Sequence, residues 1–306
     1  MLARSPVTRA WHSDLVYSFR ASPVAMLAAL IGLILVAAAV FAPWIAPHDP
    51  MDVASLSLLD SFKPPIGMSG ADWSNPLGTD NQGRDVLSAI MYGTRISLLV
   101  GILSLLFAMI VGVTFGLLAG YAGGFTDALL MRIADVHLTF PSILTALLVD
   151  GVISAALPRS LRESLQIDVI IFAIGISMWP SFARTVRGST LVERDKDYVL
   201  AARVIGVPSW RIMVSHVLPN VTGPVMVTAT LGLGLAVMNE ATLSFLGVGL
   251  PPTQPSLGTL IRFGDDFLFS GQWWVTVFPG VILILMVLAI NLLGDWLRDA
   301  LNPRLR

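Results

Sequence analysis

Tyr198 to Asn220 reads YVLAARVIGVPSWRIMVSHVLPN. It belongs to a polar stretch, residues 184–219, that carries six basic residues between intensely apolar segments: Arg184, Arg187, Arg194, Lys196, Arg203 and Arg211. Leu200 to Val204 is a helix-forming run, Gly206 is a natural helix stop, and Pro208 and Ser209 restart helical turn toward Leu218 and Pro219. Two short helices meeting at an angle make a firm knob, opened by Asp197, Tyr198 and Leu200. Ala201 and Ala202 would let a partner surface approach closely, and Arg203 and Arg211 would anchor its rim. On charge alone the same stretch also reads as an ordinary basic loop on the cytoplasmic side.

The surroundings of this stretch set the class of protein. Hydrophobic residues make up 55% of the 306 and charged residues only 13%, with a mean hydropathy of +0.77. That composition is too apolar for a soluble domain and describes an all-α polytopic membrane protein. The formal net charge of -1 and the dispersal of the basic residues exclude a nucleic-acid footprint. Cysteine is absent, which rules out disulfides and thiolate chemistry.

Six spans are expected. Residues 24–46, 96–118 and 274–293 are apolar over lengths sufficient to cross a hydrocarbon core of about 30 Å, and 221–248 is a fourth despite Asn239 and Glu240. The stretches 138–156 and 167–182 are weaker, interrupted by Asp150 or short. With the N-terminus inside, thirteen of the nineteen Lys and Arg fall on inner segments, so both termini and the 184–219 stretch are expected in the cytoplasm. Omitting both weak spans leaves that orientation unchanged. Residues 1–23 form an inner tail in which Trp11, Leu15 and Phe19 recur every fourth position, the pattern of an interfacial amphipathic helix or of a basic flank without structure. Residues 47–95 and 249–273, rich in Pro, Gly, Asn and Asp, read as external loops, and 298–306 as a cytoplasmic tail.

Catalytic chemistry finds no foothold. A P-loop needs Gly-Lys followed by Ser or Thr, yet the only lysines are Lys63, before Pro64, and Lys196, before Asp197. No GxSxG elbow and no paired-histidine spacing occurs, so neither a nucleophile nor a metal site is expected. Glu240 is the costly residue, since a carboxylate inside a span costs about 2.5–3.5 kcal/mol even on the lenient insertion scale. Beside Asn239, it either lines a translocation path or pairs with a polar group to fix helix packing.

Four stretches together resemble one family. They are residues 76–98, with PLGTD, GRDVLS, YG and RISL; 120–141, with GY, GG, MR, Asp135 and FP; 198–220; and 243–305, with LSFLG, PP, FPG, NLLGD, LRDAL and PRL. The chain is identified as similar to the second, C-type permease subunit of binding-protein-dependent dipeptide and oligopeptide ABC importers, and the 198–220 stretch resembles their EAA loop. The glutamate naming that loop is replaced by Leu200, so its contact does not carry over. The resemblance implies a type I permease fold of six helices, a homologous permease as partner in a heterodimer, two ATPase subunits that bind ATP and Mg, and an external binding protein delivering a short peptide. This chain would itself bind no cofactor, would not be an enzyme, and would have membrane lipid as its only other partner. The rival reading is a secondary transporter with Glu240 as a proton-coupling carboxylate, which explains Glu240 and leaves the knob unexplained. A membrane-embedded hydrolase would need a nucleophile motif that the sequence lacks.

Overall fold

The computed structural model describes residues 14–50, 52, 56–250 and 254–301, and every described element of regular secondary structure is helical. The helices are α1 (Asp14–Ala21), α2 (Pro23–Ile45), α3 (Val86–Ala122), α4 (Gly124–Leu138), α5 (Ser142–Ala156), α6 (Arg159–Glu193), α7 (Asp197–Val204), α8 (Ser209–Ile212), α9 (Leu218–Phe245), α10 (Leu257–Leu268) and α11 (Trp274–Leu301). Among the described residues, five helices are long and apolar enough to cross a membrane. The expected span 138–156 falls on α5, which meets α4 at 94° across Thr139–Pro141; the bent pair makes a sixth span when counted as one. Pro141 has no N–H to continue α4 and drives the preceding Phe140 out of helical geometry, so the chain turns there.

Several boundaries differ from the sequence expectation. The segment 47–95, expected as an external loop, becomes helical at Val86, because Asp85 caps α3: its Oδ2 accepts the Ser88 N–H at 2.8 Å and the Ser88 hydroxyl at 2.6 Å. α3 is therefore 37 residues long, about 55 Å. The short expected span at 167–182 lies within the 35-residue α6, so residues 184–193 are helix and not loop. The stretch 249–273, expected as an external loop, contains α10, capped by Ser256 and burying Leu257, Leu260 and Gly264 against its neighbours. α1 is present, while Arg9, Trp11 and His12 of its expected amphipathic pattern lie outside the described residues, as do Pro251, Pro252 and the PRL ending. Its Phe19 packs edge-on against Trp296 of α11, with ring centroids 5.1 Å apart.

The bundle is organised around α3 against α6. Gly112, Gly116 and Gly120 recur every fourth residue and so share one face of α3. A Cβ on each would stand 2.4 Å from Phe182 Cβ, 2.6 Å from the Ala183 carbonyl oxygen and 2.6 Å from Thr190 Cβ, respectively. The helix backbones are thus pressed together along a small-residue seam, which in lipid supplies the packing that a hydrophobic driving force cannot. One core lies between α3, α5, α6 and α9, with Val100, Ala146, Ile170, Ile174 and Leu243 inaccessible to solvent. Another joins α2, α3, α10 and α11, where Trp274 donates its indole N–H to the Thr79 carbonyl at 3.1 Å and ties down the segment ahead of α3.

Candidate functional site

The knob is built as the sequence suggests at its first helix and differently at its second. α7 starts with Asp197 at the positive end of the helix and finishes with Arg203 in its last turn, both favourable to the helix dipole. It is closed by two bonds, Gly206 N–H to the Arg203 carbonyl and Val207 N–H to the Ala202 carbonyl, each 3.0 Å. That Schellman pairing needs a left-handed residue between, and Gly206 supplies φ +81°. α8 is not a separate arm: from Ser209 the helix runs on through a π turn, Met213–Val217, into α9. Pro219 explains the widened turn. It cannot donate to Ser215, and the Leu218 N–H reaches back five residues to the Met213 carbonyl. The second half of the knob is therefore the end of a membrane helix.

The base of the knob is a dry cluster of Val199, Ala202, Ile212 and Val217 packed on Leu117, Val186, Val221 and Val225. Ala202 is consequently buried, and only Ala201 of the alanine pair faces outward. Tyr198 is the hub that fastens the two halves. Its hydroxyl donates to the Glu193 carboxylate and accepts from Asn220 Nδ2 at 3.1 Å, while the same amide donates to the His216 carbonyl at 2.7 Å. Burial, and then the bond to Glu193, push the Tyr198 phenol up to about 12. It therefore holds its proton throughout the physiological range.

The basic residues do not form a free positive loop. Arg184 pairs with Asp135 at 2.6 Å, Arg187 with Asp127, and Lys196 with Glu193 at 2.7 Å. Arg194 donates to the Gly120 carbonyl at 2.7 Å. Arg203 lies over the Tyr121 ring, 4.8 Å from its centroid, and Arg211 over Trp210 at 5.7 Å. Beside Arg203 and Arg211, both exposed, the knob presents an apolar crest outward: Leu200, Val204, Ile205 and Trp210 are 42%, 87%, 78% and 61% exposed. Leu218 is half-buried at the root and Pro219 exposed.

Asn239 and Glu240, adjacent in sequence, face different surroundings. Asn239 lines a cavity of about 470 Å³ together with His137, Ser142, Ser177, Ser181 and Thr228. Glu240 has no exposed surface and points into the helix contacts. Its Oε2 accepts the Ser97 hydroxyl and its Oε1 the Ser244 hydroxyl, both at 2.7 Å. Ser97 Oγ in turn accepts the Leu257 N–H at 3.2 Å, so α3, α9 and α10 meet at one carboxyl group. The glutamate and α10 are thus one structural unit. Among the described residues, no cluster of His, Asp and Glu could hold a metal ion.

The sequence profile described as binding-protein-dependent transport system inner membrane component matches residues 112–306. A second profile, the N-terminal TM domain of oligopeptide transport permease C, matches residues 5–65. The chain is 38% identical over 302 residues to a di/tripeptide transport system permease protein of Pseudomonas aeruginosa (strain UCBPP-PA14), covering 99% of this chain and 93% of that protein. It is also 38% identical to the dipeptide transport system permease protein of Escherichia coli (strain K12), with 99% and 94% covered. A glutathione transport system permease protein of Pectobacterium atrosepticum is 38% identical over 92% of this chain and 88% of its own length. Among solved structures, an inward-facing MetNI methionine ABC transporter is similar in fold, with a TM-score of 0.54 and 20% identity over 70% of this chain and 96% of that one.

Proposed function

This chain belongs to the family of binding-protein-dependent transport system inner membrane components, and from that premise we propose that it forms one half of the pathway of an ATP-driven importer of short peptides in the bacterial inner membrane. Peptides are the cargo named for most of its relatives. The cavity beside Asn239 agrees in chemistry, since hydroxyl, imidazole and amide groups on an otherwise apolar wall can serve peptide groups without a fixed charge. A homologous permease would complete the pathway, two ATPase subunits would bind ATP and Mg, and an external binding protein would deliver the peptide.

The observation that carries the coupling role is the apolar crest Leu200, Val204, Ile205 and Trp210 on a rigid base. An exposed hydrophobic patch on a well-packed knob is what a helix-in-groove contact requires. Because the second half of the knob continues into α9, a displacement of Trp210 by the ATPases would reach Asn239 along one helix, with α7 fastened to it through Tyr198 and the dry base. Rocking of packed helices would then open the cavity to alternate sides. The proton-coupled reading loses its motive: both Glu240 oxygens accept serine hydroxyls, and the residue is sealed from the cavity.

The test is reconstitution. The chain, co-expressed with its neighbouring permease, ATPase and binding-protein genes, should give peptide uptake in proteoliposomes that needs ATP inside and binding protein outside. Uptake driven by a proton gradient, without ATP or partners, would refute the proposal.

A further inference from the structure

The flank formed by α2, α3, α9 and α11 contains an apolar groove of about 510 Å³. Gly32 and Val36 of α2, Leu98 and Ile102 of α3, and Ile290 and Leu293 of α11 form its walls. Arg95 is the one polar residue lining it among the described residues. Arg95 is exposed, and no ion pair or hydrogen bond engages its guanidinium among the described residues. The remaining 27 residues of α3, Ile96 to Ala122, carry no charge and span roughly 40 Å. A lone cation at the edge of such a stretch sits at the boundary between hydrocarbon and headgroups.

Position along the helices fixes how the groove is filled. The ends of α2 and α3 are joined where the His48 N–H donates to Ser88 Oγ at 3.1 Å. Arg95 lies seven residues, about 10 Å, below Ser88, level with the Val40 end of the groove. From Val40 the α2 wall continues to Ala29, about 16 Å further. One leaflet of hydrocarbon is about 15 Å deep. The groove therefore has a cation at one end and an apolar slot as deep as one leaflet below it.

We propose that this groove is a phospholipid site, in which Arg95 binds the phosphate of a glycerophospholipid and one acyl chain lies along Gly32, Val36 and Leu293. The guanidinium fork matches phosphate oxygens, and the lipid phosphate supplies the counter-charge that the protein does not. With the topology proposed above, the lipid belongs to the outer leaflet. The site wedges the first spanning helix against the bundle through lipid, and it does not depend on what the importer carries.

The assembled complex, purified in mild detergent and delipidated stepwise, is read by native mass spectrometry for bound phospholipid. Arg95→Gln removes the charge and leaves the slot. Gly32→Leu fills the slot and leaves the charge, and is tolerated locally because a Cβ at Gly32 meets nothing nearer than 3.8 Å. Each variant should lose one tightly held phospholipid, retained about tenfold less well than in the unmodified complex, as expected from one charge-assisted bond or one buried chain. Arg95→Lys should restore part of the retention. Equal phospholipid counts in all complexes would overturn the proposal, as would a Val36→Cys cross-link to the partner permease, which would show protein covering the groove.

Discussion

Glu240 shows how one side chain can be costly and still structural. Its carboxyl is satisfied by two serine hydroxyls, one of them 143 residues away. Glu240→Gln keeps a carbonyl acceptor for one of these hydroxyls, and we expect most ATP-dependent uptake to survive. Glu240→Leu strands the buried hydroxyls of Ser97 and Ser244 and should cost about 2–4 kcal/mol, seen as a lower unfolding midpoint of the solubilised complex. If Gln abolishes uptake while assembly and ATPase activity persist, Glu240 has a transport role that the packing does not reveal. Gly206 makes the complementary case, because its φ of +81° strains a side chain although no atom lies within 4 Å of a new Cβ. Gly206→Val should therefore insert into the membrane normally, weaken association with the ATPases, and transport at a small fraction of the normal rate. Near-normal transport would remove the knob from the coupling path.

The pairing of α3 with α6 is the element on which the bundle rests. Gly116 sits mid-seam, where a Cβ would lie 2.6 Å from the Ala183 carbonyl oxygen and 2.7 Å from Val186 Cβ. Gly116→Ala must push the backbones apart by several tenths of an ångström, at about 1–3 kcal/mol; Gly116→Leu should prevent stable accumulation in the membrane, checked by quantitative immunoblotting against the unmodified chain. The four-residue spacing of Gly112, Gly116 and Gly120 is plain in the sequence, yet a glycine seam declares its purpose only when the partner helix is known. Asp85 and Ser88 are a capping signal that sets the start of α3 at Val86, and long-range hydropathy passes over it because the first two turns are mixed in polarity.

Orientation is a property of the entire molecule, and from the thirteen-to-six partition of positive charge we expect the knob inside and α10 outside. The absence of cysteine allows a direct measurement. Single cysteines at Asp195, beside the knob, and at Ser270, after α10, both lie at exposed positions. An impermeant thiol reagent should label Ser270→Cys in intact cells and Asp195→Cys only after permeabilisation. The reversed pattern would invert the topology and place the apolar crest away from any ATPase.

Much of this protein was already written in its linear order. Backbone groups in lipid must be satisfied within a helix, so apolar length marked the centres of the five long helices, and the turn chemistry at Gly206 and Pro208 outlined the first half of the knob. Charge counting could not foresee that Arg184 and Arg187 would be neutralised by Asp135 and Asp127 across 49 and 60 residues, or that apolar side chains would stand exposed beside Arg203 and Arg211. Nor could adjacency in sequence separate Asn239 from Glu240. On a helix, neighbouring residues point about 100° apart, and which direction is cavity and which is packing was decided only when α3 and α10 closed over the glutamate.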